Sequence, residues 1–382
     1  MDDFSHCRIL LVDDVKDNIN VLVQALKNDY QLGFALNGEA ALSYVQKHKP
    51  DIILLDIMMP GMDGYEVCRR LKADRRTEGI PVIFLSSRDE VKSKADGFDA
   101  GAVDYITKPF EIVEVKARVK THLALKLARQ ELERQRDRMQ LSLDLAMEVQ
   151  QNLLPVAAPV IDGLDLAGRS IYCDETGGDY YDFIEMDSSR PDEVGLVVGD
   201  VSDHGIPSAL LMTTARAFLR QRSSMVGGVA DIVTDVNRQF YRDVRDTGQF
   251  MTLFFGRIDP QNLRITWVRA GHDPALLYDA GSDRFEELEG HGLPIGVDEN
   301  FQFEPNRRDL AKGQILLIGT DGIWEARDRT GLMFGKERLR QVVRQNAGRS
   351  ADEIVDSVIL AVDDFLDGRA RQDDITLLVA KL

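Results

Sequence analysis

Cysteine is scarce: Cys7, Cys68 and Cys173 are all that 382 residues contain. Three scattered thiols provide neither a disulfide frame nor a CxxC metal knuckle, and they point to a reducing, cytoplasmic compartment. Positive charge is short as well. With 47 Lys and Arg against 64 Asp and Glu the formal net charge is −17, which leaves most of the surface unable to neutralise a nucleic-acid backbone. Nucleic acid is not an expected partner, and no helix-turn-helix pattern follows residue 155. Apolar runs stay far below the roughly 18 residues of a membrane span. The opening MDDFSHCRILLVDD is acidic where a signal peptide is basic, so neither a membrane nor secretion is expected. What the chain does have is 44% hydrophobic and 29% charged residues, the usage of a globular protein. Its length calls for two or three domains.

Residues 1–120 alternate short apolar runs (Arg8–Val12, Asp51–Leu55, Pro81–Leu85, Val103–Ile106) with amphipathic stretches. That pattern predicts a doubly wound α/β domain, a parallel sheet covered on both faces. Glu111–Leu153 has no proline and no glycine and reads as one long helix, stopped by Pro155 and Pro159. Its part from 121 to 155 is a linker. From 156 to 382 glycines become frequent. Strand-like segments (Val194–Val198, Met251–Ile258, Ile315–Gly319, Ile375–Ala380) surround helical stretches at Pro207–Arg222 and Val229–Arg245.

In a doubly wound sheet, ligands sit beyond the carboxyl ends of the strands. Asp13 and Asp14 follow RILLV there, Asp56 follows DIILL, Ser86 follows PVIFL, and Lys108 follows Tyr105-Ile106-Thr107. Three converging carboxylates repel one another unless a cation joins them, and oxygen donors suit Mg2+. A neighbouring lysine supplies a partner for a phosphoryl oxygen. Taken singly, an aspartate after a strand is a turn former or a helix cap. That explanation is adequate for Asp13 or Asp63 alone, but it does not account for the whole set. The set resembles a CheY-like response-regulator receiver domain over the first 120 residues. The resemblance implies phosphorylation of Asp56 by a cognate histidine kinase. It also implies Mg2+ held by Asp13, Asp14, Asp56 and the backbone carbonyl of Met58, with Ser86 and Tyr105 as a switch pair and Lys108 as the phosphate contact.

Along the long helix, positions seven apart carry Leu125, Leu132, Met139, Ala146 and Leu153. The row three residues later carries Ala128, Gln135, Ser142 and Val149, apolar only at its ends. This is a heptad pattern with a weakened centre, on a rod of about 50 Å at about 1.5 Å per residue. It predicts a parallel coiled coil that makes the protein a homodimer through the linker. A second stripe, Leu141 and Leu145, leaves open a single helix lying against its own chain.

Four fragments stand out beyond residue 170: Gly177-Gly178-Asp179-Tyr180-Tyr181-Asp182, Gly199-Asp200-Val201-Ser202-Asp203-His204-Gly205, Thr320-Asp321-Gly322 and Asp373-Asp374-Ile375-Thr376. Glycine beside aspartate lets backbone approach a ligand closely. Carboxylates without cysteine and with few histidines suit hard metals, Mg2+ or Mn2+, two in number. The fragments, with AGHDPALL at 270–277 and Gly292-Leu293-Pro294-Ile295-Gly296, resemble a PPM-type metal-dependent Ser/Thr phosphatase of the SpoIIE/RsbU subfamily. The resemblance implies an αββα sandwich with the metals at one edge of its two sheets. Asp200 would bridge both ions, and the carbonyl of Val201, Asp321 and one of Asp373 and Asp374 would complete the shell. Asp179 would hold a water on a metal. Counting back from Thr376 favours Asp373 over Asp374. Larger relatives carry a histidine where Ser202 stands and a phosphate-gripping arginine where Asp174 stands, so neither the general acid nor the substrate clamp transfers. His204 is the one local candidate for the acid, and Asp203 stands where close relatives usually have glycine.

Gly177-Gly178-Asp179 is not a diguanylate cyclase signature, because Tyr180-Tyr181 follows in place of Glu-Phe. Trp267 and Trp324 read as packing residues, His272 as a turn or loop residue near the sheet edge, and Cys68 and Cys173 as inert thiols. The three segments together imply a two-component output protein. In it the receiver controls a Mn2+/Mg2+-dependent phosphatase acting on a phosphorylated, STAS-type anti-sigma-factor antagonist. The alternative is a non-catalytic adaptor whose phosphatase-like domain binds a sigma factor, an anti-sigma factor or a protease.

Overall fold

The computed structural model describes residues 4–87, 99–174, 176–186 and 192–382. The chain divides into two compact units, Met1–Met139 and Gln140–Leu382.

In the first unit, strands β1 (Arg8–Val12), β2 (Gln31–Ala35), β3 (Ile52–Asp56), β4 (Val82–Ser87) and β5 (Asp104–Lys108) form one sheet of order β2-β1-β3-β4-β5. Every described pairing in it is parallel. Helices α1 (Lys16–Leu26), α2 (Gly38–His48) and α3 (Gly64–Ala73) are described beside it. Alternation along each strand feeds two cores. Leu10, Val12, Ile53 and Leu55 pack with α2 and α3, whereas Ile9, Leu11, Ile52 and Leu54 pack with α1 and the start of the long helix. The doubly wound expectation holds, with one strand more than the four apolar runs indicated. β2 is an edge strand whose burial alternates and whose Phe34 is exposed, so it gives no continuous apolar run.

Helix α4 runs Ile112–Gln151, within two residues of the predicted span at either end. Val115, Val119 and Leu123 are fully buried in the first unit's core, and Lys126 Nζ reaches Asp51 Oδ1 at 2.8 Å. Beyond them Leu125, Leu132, Met139, Leu141, Leu145 and Val149 are all exposed, so both apolar stripes face solvent within their own units. The helix ends on tightened turns, with the Leu153 and Leu154 amides bonded to the carbonyls of Gln150 and Gln151, just ahead of Pro155.

The second unit contains two antiparallel five-stranded sheets. One has the order β13-β10-β9-β8-β7, from β7 (Asp179–Glu185), β8 (Val194–Val201), β9 (Met251–Asp259), β10 (Arg264–Ala270) and β13 (Asn306–Asp309). The other has the order β12-β11-β14-β15-β6, from β6 (Asp165–Ile171), β11 (Ala275–Asp279), β12 (Arg284–Leu288), β14 (Gln314–Gly319) and β15 (Ile375–Lys381). Helices α5 (Ile206–Ser223) and α6 (Val229–Val244) cover the first sheet, and α7 (Gly335–Asn346) and α8 (Ala351–Leu366) the second. The period-2 alternation of strands sorts the residues. Tyr181, Phe183, Leu196, Val198, Leu316, Ile318 and Leu378 fill the space between the sheets. Tyr180, Ile184, Val197 and Val201 face α5 and α6, and Ile315, Leu317, Leu377 and Val379 face α7 and α8. This is the αββα sandwich. It holds eight strands and helices beyond the six segments legible in the sequence.

Candidate functional site

In the first unit the parallel sheet carries β1, β3, β4 and β5 to one edge, and the candidate residues meet there. One oxygen from each of Asp13, Asp14 and Asp56 lies within 4.8 Å of the others. Lys108 Nζ bonds Asp13 Oδ2 and Asp56 Oδ1, both at 2.8 Å. Asp13 is held further by the Val15 amide at 2.8 Å and by Asn18 Nδ2 at 3.0 Å. Burial, aided by the charges of Asp13 and Asp14, raises the pKa of Asp56 against the opposing pull of Lys108. Lys108 is pushed up in turn: burial disfavours its charge, but the two carboxylates outweigh it. Ser86, buried at the end of β4, stands in register with Thr107, next to Lys108 on β5. Tyr105 lies on β5 with the Arg118 guanidinium 5.6 Å from its ring centre. Met58 is exposed beyond β3. The turn after Asp56 closes through the Gly64 amide on Ile57 O at 2.8 Å. A Cβ at Gly64 would stand 2.2 Å from Asp56 O, so only glycine fits. A hard cation fits the donor set: three carboxylates at one edge, with a single lysine to offset them.

The second cluster arises from strand parity and from the turns at the same end of the sheets. The positions that face the space between the sheets are apolar along most of β7 and β8 and turn acidic at one end, at Asp179 and Asp200, while Asp321 and Asp373 stand in the turns beside β14 and β15. Asp179 opens β7 and stands directly across from Asp200 on β8. Asp321 follows β14 and Asp373 precedes β15. Four separate segments thus bring their carboxylates to one mouth of the sandwich. Burial, followed by the charges of Asp200 and Asp374, raises the Asp179 pKa strongly. Asp200 is pushed up to about 8 by burial and by Asp321, Asp373 and Asp374. Burial also raises Asp321 and Asp373, with Asp373 the leading charge on Asp321. Mutual repulsion of this kind is what a divalent ion relieves. The grouping is looser than the first: among the described residues only Asp13, Asp14 and Asp56 bring one oxygen each within 4.8 Å of one another. A wider set suits two ions about 3.5–4 Å apart better than one.

Asp374 has a different occupation from Asp373. Its carboxylate accepts from the backbone amides of Cys173 at 2.8 Å, Gly178 at 2.9 Å and Asp179 at 3.4 Å. It is buried and ties the Asp179 segment to the start of β15, whereas Asp373 is the more open to solvent of the two. The glycines around it are required by contact. A Cβ at Gly177 would meet Asp374 Oδ2 at 2.2 Å, one at Gly178 the Val201 carbonyl at 2.8 Å, and one at Gly322 the Asp374 carbonyl at 2.0 Å. Asp203 has φ +66° and Gly205 φ +82°. The turn after Asp200 therefore needs left-handed backbone, which aspartate tolerates better than most side chains. His204 Nδ1 lies 2.7 Å from Asp174 Oδ2 on the exposed rim.

Three contributors escaped the sequence reading. Thr320 donates to Asp179 Oδ2 at 2.7 Å. His272 lies in the loop between β10 and β11, as expected, but it is also a buried tie between the two sheets. Its Nε2 meets the Gly319 carbonyl at 3.1 Å and must carry the proton, so Nδ1, 2.8 Å from Thr252 Oγ1, accepts. Burial lowers its pKa to about 4, which keeps the ring neutral. Asp182, fully buried, receives Arg220 Nε and Nη2 at 2.6 Å each and clamps α5 to β7. A cavity of about 200 Å³ lies beside the cluster, lined by Asp200, Thr252, Arg269, His272, Asp273 and Asp321 among others. The inert-thiol expectation agrees with burial, which pushes Cys68 up to about 11 and, with Asp374, Cys173 up to about 12.

A family model described as Stage II sporulation protein E (SpoIIE) matches residues 190–382, and one for the response regulator receiver domain matches residues 9–120. Over 242 residues the chain is 26% identical to phosphoserine phosphatase RsbU of Bacillus subtilis (strain 168), covering 63% of this chain and 69% of that one. Over 137 residues it is 44% identical to a probable cyclic di-GMP phosphodiesterase of Vibrio cholerae serotype O1, covering 36% of this chain and 31% of that one. It thus spans only about a third of the second relative's length. The solved SiaA-PP2C domain of Pseudomonas aeruginosa matches 65% of this chain and 98% of its own length, with a TM-score of 0.56 at 23% identity, a likeness of fold.

Proposed function

Because the chain belongs to the Stage II sporulation protein E (SpoIIE) family and carries a response regulator receiver domain ahead of the SpoIIE domain, we propose that it is a two-component output protein. In this reading a cognate histidine kinase phosphorylates Asp56, and the receiver controls a divalent-metal-dependent phosphoserine or phosphothreonine phosphatase. The observation that carries it is the convergence of Asp179, Asp200, Asp321 and Asp373, from four separate segments, at one mouth of the sandwich. Similarity to the phosphoserine phosphatase RsbU supports a phosphoprotein substrate, which we take to be a STAS-type anti-sigma-factor antagonist.

Asp200, Asp321, Asp373 and the Val201 carbonyl would hold two Mn2+ or Mg2+ ions, which supply an activated water and clamp the phosphoryl oxygens for in-line attack. We assign Asp373 rather than Asp374 as the ligand, because Asp374 already accepts three backbone amides. Asp179, which accepts from the Thr320 hydroxyl, would orient the water. His272 holds the Gly319–Asp321 segment against β9, and Arg220 with Asp182 fixes α5 behind the Asp200 turn. The cavity beside Asp200 and Asp321 gives a phosphorylated side chain room to enter. In the receiver, Asp13, Asp14 and Asp56 with the Met58 carbonyl would hold Mg2+, and Lys108 would pair a phosphoryl oxygen on Asp56 while Ser86 and Tyr105 respond to it.

The direct test is phosphate release from a phosphorylated antagonist protein, with and without Mn2+ and with and without beryllofluoride. Release that needs Mn2+ and changes with beryllofluoride is expected. No release at any metal concentration, with tight binding of an unphosphorylated partner, would establish the adaptor reading instead.

We propose that the signal passes along α4 by changing the pairing of two α4 helices in a homodimer. The seam Leu125, Leu132 and Met139 is exposed, and Gln135 and Ser142 weaken the facing row. Replacing both with leucine is expected to strengthen pairing and to fix phosphatase output at one level, with or without beryllofluoride. A stable dimer whose output still follows beryllofluoride as the parent's does would sink this mechanism.

A further inference from the structure

Toward the end of α4, Leu143, Met147 and Leu154 are half-buried, Leu154 packs against the core, and the most buried residue, Gln150, is polar. Gln150 is 4% exposed, while Ala146, Val149 and Gln151 around it are exposed. Its amide pairs with a single residue in both directions: Nε2 donates to the Gly177 carbonyl at 2.7 Å, and the Gly177 amide donates to Oε1 at 3.2 Å. The side chain thus does for Gly177 what a neighbouring strand does for a strand residue. An apolar side chain of the same length would pack there but leave a buried donor and acceptor of Gly177 unbonded.

Gly177 has no freedom to move away. Its α-carbon lies against the Tyr172 ring and Asp374 Oδ2. The next residue, Gly178, donates to Asp374 Oδ2 at 2.9 Å and accepts from the Val201 amide at 3.3 Å. Asp179 comes next, directly across from Asp200. The segment that presents Asp179 is therefore fixed from three sides, by β8, by Asp374 and by the end of α4.

We infer that Gln150 is a positioning residue for the acidic cluster, coupling the docked last turn of α4 to the placement of Asp179. The inference rests on reading the cluster as a divalent-cation site. Coupling of this kind is reciprocal: whatever undocks the helix end weakens cation binding, and cation binding protects the helix end. Gln150 acts only through the backbone of Gly177 and touches neither substrate nor cation.

The test uses the full chain, with hydrogen exchange of residues 148–154 and 176–180 read with EDTA and with Mn2+, and Mn2+ affinity read by titration calorimetry. In the parent, Mn2+ is expected to slow exchange in both segments. In Gln150→Leu, Mn2+ is expected to bind roughly tenfold more weakly, the lower end of what loss of an outer support costs a metal site, and to protect 176–180 without protecting 148–154. Gln151→Leu, at an exposed neighbour, is expected to behave as the parent. A parent whose 148–154 segment ignores Mn2+ overturns the inference without any variant, and so does a Gln150→Leu protein with parental affinity and parental protection. A parent that binds no Mn2+ overturns the cation reading itself, and the inference with it.

Discussion

Asp200→Asn is expected to lower phosphate release by more than about 100-fold and, at the same time, to raise the melting temperature of the metal-free protein. Loss of a mere outer-shell partner costs a metal site about 10–100-fold, and Asp200 is assigned as the bridging ligand itself. The stability gain follows from the same geometry. Asp200 is half-buried, and that burial together with the charges of Asp321, Asp373 and Asp374 pushes its pKa up to about 8. A folded pKa above the unfolded one means that the folded state binds the proton more tightly. The contribution to stability is then greatest below the ordinary carboxylate pKa and is lost as pH rises toward 8. Each tenfold change in proton affinity is worth about 1.4 kcal/mol. Relief of even a small part of the repulsion therefore raises the melting temperature by roughly 3–6 °C for a unit of this size. In EDTA the parent is expected to lose stability between about pH 4 and pH 8, and the variant to lose less. Mn2+ is expected to stabilise the parent strongly at pH 8 and the variant weakly. Phosphate-release assays and thermal melts across that range check both halves. A variant with parental turnover at low Mn2+ would remove Asp200 from the metal site, whatever its melting temperature.

How much of this was legible in the sequence depended on whether a residue's partner lies near it along the chain or follows from periodicity. β1, β3 and β4 are buried on both faces and announce themselves as continuous apolar runs, and the carboxylates at their ends could be placed from that alone. β2 could not, because an edge strand with Phe34 exposed breaks the run. The long helix was readable to within two residues from the absence of glycine and proline. β7, DYYDFIE, looks too polar for an interior strand. Its Asp182 is tolerated inside only because Arg220, 38 residues later, supplies a bidentate partner. Gln150 looks like an ordinary solvated helix position for the same reason, since its partner Gly177 follows 27 residues later. The distinction between Asp373 and Asp374 is likewise a matter of long-range contact: only the folded chain brings Cys173 and Gly178 amides to Asp374.

Asp56→Ala is expected to abolish labelling by acetyl phosphate altogether, because neither neighbouring carboxylate is placed to take over. Asp13 is already bonded by the Val15 amide, Asn18 and Lys108. Among the described residues, Asp14 has no lysine contact comparable to the 2.8 Å pairs that Lys108 makes with Asp13 and Asp56. The end of β3 is also built around the acceptor: Gly64 closes the turn against the Asp56 carbonyl with no room for a Cβ, which fixes the direction of the side chain. Phosphate release by the variant is expected to run at one rate whether or not beryllofluoride is present. Its receiver is expected to melt no lower than the parent's. Burial, with the charges of Asp13 and Asp14, raises the Asp56 pKa, so the ionised group is held against a cost that alanine removes. Lys108 keeps Asp13 as its partner. Mass spectrometry of the acetyl-phosphate-treated protein and a melt of the same sample separate loss of the acceptor from loss of the fold. Undiminished labelling of a folded Asp56→Ala protein would place the acceptor elsewhere and break the proposed route from kinase to phosphatase at its first step.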